Sequence, residues 1–293
     1  MSKIIRVNNT GITGWTNTAI QRALDRADGG VVEVPAGVYR MHNALRLRSG
    51  VRIIGETGAS LRKVPSVTSA IVDYLGYGHY EITVADPDKF RVGMGIHILD
   101  DKSWGFFTTV ATITGIIENR LFLDRLLNHD YDPKANARAV TAFSLIEGDN
   151  VVDASVETIG LDGNRAEETF MLNGCRGGAV FIYQSRRIAL RGLEIHDYRG
   201  DAVSFQQNAD VTVAGCHVHH NTGGGLHPGS GSVRYLISDN RVHDNGGCGI
   251  FYCLRTTHSI CRGNLIEHNG MAGISIGERD TDHMVEDNTI RGN

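Results

Sequence analysis

The chain has little proline, no long apolar run and no concentration of charge of one sign. Five prolines stand against 36 glycines in 293 residues, so glycine must supply the tight turns and positive φ angles. Formal net charge is −4, without a basic run or an acidic tail, which excludes the electrostatic footprint of a nucleic-acid binder. No apolar stretch approaches the ~20 residues that span a bilayer. The first ten residues, MSKIIRVNNT, lack the apolar core of a signal peptide. The chain is therefore cytoplasmic, or secreted or periplasmic with its leader removed. Five cysteines (Cys175, Cys216, Cys248, Cys253, Cys261) form an odd set with no CxxC and no metal-ligand spacing. Free thiols, mostly buried, fit this better than a disulfide framework.

What the chain does have is a repeat. Segments beginning at Ala179, Ala202, Gly225, Gly249 and Gly273 start 23, 23, 24 and 24 residues apart. Each carries three short apolar alternations divided by polar turns. The second position is always apolar (Val180, Val203, Leu226, Ile250, Ile274), and the fourth is Ile182, Phe205, Pro228, Tyr252 and Ile276. Asparagine recurs near each end (Asn221, Asn245, Asn269, Asn293) and again inside (Asn240, Asn264, Asn288). Three strands of about five residues make one triangular coil of a parallel β-helix, with coils stacked ~4.8 Å apart. The asparagines suit turns, where they tolerate left-handed geometry and bond neighbouring backbone.

Upstream, Ile20, Ala23, Leu24 and Ala27 recur at helical spacing behind Thr and Asn residues able to cap a helix, and Gly29-Gly30 ends it. Such a helix would plug the open end of the solenoid. From 66 to 145 the pattern reads instead as hairpins, with turns at Asp86-Pro87 and Glu118-Asn119. The expected organisation is an N-terminal cap with first coils over 1–65, a small β-insertion over 66–145, and coils over 146–293. The pattern runs to Asn293 without a visible cap, so the expectation is either a truncated sequence or a last coil covered by a partner, as in an oligomer.

The cap AIQRALDRADGGVVEVPAGVYR, the turn LDGNR and the coils from 178 onward resemble the pectate-lyase-like superfamily of right-handed parallel β-helices. The resemblance covers nearly the whole chain except the insertion. It implies an all-β solenoid, and a protein that cleaves or epimerises acidic polysaccharide or belongs to a phage fibre. Mannuronan C5-epimerases carry a similar cap, LDGNR and coils ending in HDN. Where those enzymes have Asp-Pro-His-Glu, this chain reads Ser204-Phe205-Gln206-Gln207, so the acid and the imidazole of that motif are absent.

Strand side chains alternate, so with positions two and four inward, three and five should face solvent. The third-position ladder is Phe181, Ser204, His227, Phe251 and Ser275, and the fifth is Tyr183, Gln206, Gly229, Cys253 and Gly277. Aromatic and hydrogen-bonding side chains in rows suit the faces and hydroxyls of sugars. Among them His227, flanked by small residues, is a candidate general base. Arg255 and Arg279, 24 residues apart, would either clamp a uronate carboxylate or pair with Glu278, Asp280 or Asp282. Asp280 and Asp282 could act as acid and base or hold Ca²⁺, which needs six or more oxygens. A further ladder, His196, His219, His243, Glu267 and Arg291, runs beside Asp197, His220, Asp244 and His268; it could bind metal, although stacking of polar residues in turns explains it more simply.

These residues lead to a carbohydrate-active enzyme acting on an acidic polysaccharide, first as a lyase by β-elimination. His227 would take the proton, Arg255 and Arg279 would neutralise the carboxylate, and Asp280 would assist the leaving group. Ser204, Gln206, Phe251, Tyr183, Asp201 and Asp282 would contact substrate, with no cofactor required. An inverting hydrolase using Asp201, Asp280 and Asp282, a C5-epimerase, and a non-catalytic carbohydrate-binding or fibre β-helix are the alternatives.

Overall fold

The computed structural model describes residues 3–8, 13–74 and 76–293. Three parallel sheets of nine, eight and seven strands run the length of a β-solenoid, one to each side of the triangle. The expected register holds in the seven-stranded face, where Val180, Val203, Leu226, Ile250 and Ile274 stand one above another. All but half-buried Ile274 are fully buried. Each such aliphatic side chain contributes roughly 1.5–3 kcal/mol by leaving water. Helix α1 (Asn17–Ala27) closes the N-terminal end with Ala19, Ile20, Ala23, Leu24 and Ala27 inward. Thr16 occupies the N-cap position, but its side chain makes no capping hydrogen bond.

The corners depart from expectation in an instructive way. The asparagines do not themselves adopt the left-handed conformation; the residue before each one does. His220 (φ 57°), Asp244 (52°) and His268 (55°) form one such column. The asparagine that follows is buried and bonds upward. Asn221 Nδ2 donates to Asn245 Oδ1, Asn245 to Asn269 and Asn269 to Asn293, at 2.9, 2.9 and 2.8 Å. Asn240, Asn264 and Asn288 repeat this at a second corner, at 2.9 and 2.8 Å. Every amide also reaches strand carbonyls, as Asn245 Nδ2 does to Val218 and His243. The ladder thus satisfies groups that a turn would otherwise bury unpaired.

Between the strands ending at Lys63 and starting at Ile146 lies the insertion, an antiparallel six-stranded sheet spanning Thr68 to Val140. Its own core includes Ile82, Ile96, Ile98, Ile113, Leu121 and Tyr131. A buried ion pair fastens its exit to the solenoid: Lys63 Nζ bonds Glu168 and the carbonyl of Thr141, with the ring of Phe143 4.7 Å away. The five cysteines are free, with Cys216 and Cys261 buried and the other three half-buried.

Two substitutions test these fastenings. Asn245→Leu keeps the branched shape but removes the acceptor of the Asn221 amide and the donor to two strand carbonyls, so urea unfolding should show a loss of about 3 kcal/mol. Lys63→Met strands the Glu168 carboxylate in an apolar site, and the expected cost by the same measurement is about 3–5 kcal/mol.

Candidate functional site

The seven-stranded face carries the rows that the repeat defines. Glu147, Phe181, Ser204 and His227 are successive partners across it, as are Asp149, Tyr183, Gln206 and Gly229. Cys253 bridges to Gly229, and Phe251 pairs with Ser275. These side chains point away from the core, but the expected exposure fails at the centre. Ser204, Gln206 and His227 are buried, at 0%, 1% and 6% exposure, because the segment 172–178 folds over them.

That segment is pinned by polar contacts. Ser204 Oγ donates to the carbonyl of Gly174 at 2.6 Å, and Gln206 Nε2 donates to Ser204 Oγ at 2.9 Å. Only glycine permits the approach: a Cβ on Gly174 would lie 2.1 Å from Asp201 Oδ2 and 2.4 Å from His227 Nδ1. Beneath it His227 Nδ1 meets Asp201 Oδ2 at 2.8 Å, while the other Asp201 oxygen accepts from the Gly224 amide. The His227 ring lies 5.2 Å from that of Phe251. Burial opposes the charge on His227, but hydrogen bonding to Asp201 and the neighbouring Cys253 thiol outweigh it and push the pKa up to about 9. At neutral pH His227 is therefore an imidazolium paired with Asp201, which is not the state of a general base.

The other expected residues are not gathered here. Arg279 pairs with Glu278 at 2.6 Å and stays exposed, as does Arg255. Asp280 builds a turn, accepting from Thr256 N and Oγ1 and from Gly277 N. Both of its oxygens are thus engaged by the chain. Exposed Asp282 accepts from Thr281 Oγ1. The histidine ladder has the expected register, His196 to His219 to His243 to Glu267, but it lies on strands of the eight-stranded face; only His220 and its column occupy the turn.

An open cleft of about 230 Å³ lies where the insertion meets the seven-stranded face. The insertion contributes Phe106, Arg125 and Asn128; the coils contribute Glu147, Asp149, Phe181, Tyr183 and Gln207; the covering segment adds Cys175 and Arg176. Phe181 and Tyr183, two apart on one strand, hold their rings nearly parallel at 7° with centroids 6.4 Å apart. Glu147 and Asp149 share the outward side of the strand beneath them. Arg125 Nη2 lies 3.5 Å from Glu147 Oε1. The Arg176 guanidinium donates to the carbonyl of Phe106 and, among the described residues, has no carboxylate in salt-bridge range. Burial, chiefly, together with nearby Arg125 pulls its pKa down. His227 and Asp201 do not line this cleft.

Of these residues, sequence reasoning named only Tyr183 as a substrate contact, with Phe181 in the neighbouring ladder. Glu147 and Asp149 were accessible in principle, since aligning Ile146-Glu-Gly-Asp with Val180-Phe-Ile-Tyr extends the ladder one coil upstream. Arg125 and Arg176 come from non-repeating segments and carry no such signal.

The paired His227 makes stability depend on pH. Its folded pKa stands above the roughly 6.5 of the unfolded chain, so its contribution is full below about pH 6.5 and disappears as pH rises through about 9. The amount is on the order of 3 kcal/mol. Melting temperature should fall across that interval in the parent and fall less in His227→Gln; matching profiles would refute the pairing.

Comparison with known proteins fits this architecture. The family described as "Right handed beta helix region" matches residues 159–293. No curated protein matches the chain by sequence. Among solved structures, the A-modules of two Azotobacter vinelandii mannuronan C-5 epimerases are similar, at 16% and 15% identity with TM-scores of 0.50 and 0.52. The alignments cover 97% and 98% of this chain and 76% and 77% of theirs. A polygalacturonase from Erwinia carotovora ssp. carotovora is 12% identical, with 99% of this chain and 74% of that one covered and a TM-score of 0.52. Repeat, register and these likenesses agree on the fold: the chain is a right-handed parallel β-helix.

Proposed function

We propose that the chain is a carbohydrate-active enzyme that binds an acidic, uronate-containing polysaccharide in the cleft beside the insertion and cleaves it by hydrolysis. The observation that carries this is one strand presenting two carboxylates, Glu147 and Asp149, to a cleft floored by parallel aromatic rings. Acetal hydrolysis needs such a pair: one carboxyl protonates the leaving oxygen, and the other activates water or attacks the anomeric carbon. Phe181 and Tyr183 offer flat surfaces for sugar rings. Arg176, without a carboxylate of its own, supplies the fork that a uronate takes in bidentate fashion. The similar solved structures, a polygalacturonase and two epimerases of mannuronan, support a polysaccharide of this kind.

β-Elimination is the second reading, and the paired guanidiniums of Arg125 and Arg176 favour it, since they could neutralise the substrate carboxylate. It requires a base in the cleft, and His227 is buried, protonated and outside it.

Incubation with pectate, alginate and glycosaminoglycans decides between them. Hydrolysis is expected to release reducing ends without the ultraviolet chromophore of an unsaturated uronate; that chromophore would establish elimination instead. Glu147→Gln and Asp149→Asn should each lower kcat by roughly 10²–10⁴, with binding of the polymer retained. Activity unchanged in both variants would remove the cleft assignment.

A further inference from the structure

The eight-stranded face carries a cluster that the proposed cleft does not use. Glu194, His217 and His219 lie on adjacent strands, Glu194 directly opposite His217 and His196 opposite His219. Glu194 Oε1 stands 3.6 Å from His219 Nε2 and 3.8 Å from His217 Nδ1. One ligand atom from each of the three residues falls within 4.8 Å of the other two, and among the described residues no other three His, Cys, Asp or Glu side chains converge in this way.

The surrounding hydrogen bonds decide which nitrogens carry lone pairs. Asp244 Oδ2 accepts from His243 Nδ1–H at 2.6 Å, which leaves His243 Nε2 as an acceptor. It receives Nε2–H of His217 at 2.8 Å, so the lone pair of His217 sits on Nδ1, on the side of Glu194. Nδ1 of His219 is engaged with Nδ1 of His220 at 2.8 Å. Nε2 of His219, also on the side of Glu194, is buried and has no hydrogen-bond partner. Stacking fixes the rings: His219 lies nearly parallel to His196 and to His243, with centroids 5.3 and 5.2 Å away. Burial and the crowd of neighbouring imidazoles lower the pKa of His219 to about 4 and lower that of His217 as well.

We propose that Glu194, His217 and His219 form a binding site for a divalent transition-metal ion, specifically zinc. Two imidazoles and one carboxylate are a zinc donor set. Ligand bonds of about 2.0–2.2 Å place tetrahedral donors roughly 3.3 Å apart, a few tenths of an ångström inside the two spacings to Glu194. The Glu194 side chain, 57% exposed, can close that difference and leaves the fourth position to water. Asp244–His243–His217 is the outer chain that orients a metal-bound imidazole, and the His220 contact does the same for His219. Because the ligands come from successive coils, the ion would clip one coil to the next.

Zinc titration of chelator-treated protein near neutral pH, followed by calorimetry, tests the site. One saturable equivalent is expected, weakened at least tenfold in Glu194→Gln and in His219→Gln. Asp244→Asn, which alters no ligand, should weaken it by roughly 10–100-fold, while His79→Gln, on the exposed surface of the insertion, should leave it unchanged. Circular dichroism establishes that each variant is folded. Absence of saturable binding, or equal affinity in parent and His219→Gln, would overturn the proposal. So would a crystal of the zinc-loaded protein whose strongest anomalous zinc peak lies away from these three residues.

Discussion

The structure depends on one constraint: each coil must end in register with the next, so that the polar groups of one corner are satisfied by the corner above. A turn every few residues would ordinarily leave buried amides and carbonyls without partners, at about 1–3 kcal/mol each. Here the asparagine amide bridges them, donating to strand carbonyls and to the next asparagine while its own oxygen receives the neighbouring amide. The left-handed residue preceding each asparagine carries strain of roughly 1–2 kcal/mol when it is not glycine. That strain is tolerated because the following amide is held from above and below. Once register is fixed, the placement of every outward side chain follows, including both clusters discussed here.

The repeat from 179 onward was legible because a 23–24-residue period leaves matched residues in rows. Val180, Val203, Leu226 and Ile250 are found where the spacing puts them, and the histidine and aromatic ladders keep their order. Helix α1 was legible from apolar spacing. What the period could not show is anything that happens once. The segment 172–178 has no counterpart in other coils, yet it turns an outward row into a buried one and changes His227 from a solvent-facing imidazole into a covered ion pair. Gly174 is the residue that permits this, and a lone glycine among 36 gives no sign of it. The cleft is likewise a product of non-repeating chain, since Arg125 and Arg176 reach Glu147 and Phe106 only after the insertion has folded back on the coils.

The covering segment also separates two tasks that a bare ladder would have merged. Under it, Ser204 and Gln206 bond the carbonyl of Gly174 and join the solenoid to the wall of the cleft, while Asp201 and His227 pair with one another beside them. Beyond its edge, Tyr183, Glu147 and Asp149 keep exposed surface, and largely buried Phe181 adds to the lining of the cleft. Cys175 and Arg176 follow Gly174 directly in the segment, so the bonds that hold Gly174 down also set where the Arg176 guanidinium sits. His227 lies beneath that segment, paired with Asp201, and is not part of the cleft lining.

The two outward faces differ in what register gives them. On the seven-stranded face, neighbouring coils place unlike groups together, an acid beneath an aromatic and a serine beneath a histidine, and shape comes from chain laid over the top. On the eight-stranded face, like stands over like, and the consequence is electrostatic. Charged imidazoles about 4 to 5 Å apart would repel one another, and burial together with this crowding pulls the pKa of His217 and His219 down. The fixed carboxylate of Asp244 decides the direction of the His217 lone pair by way of His243. A ladder whose spacing serves the coil thereby presents donor atoms toward Glu194, and the zinc proposal rests on that convergence.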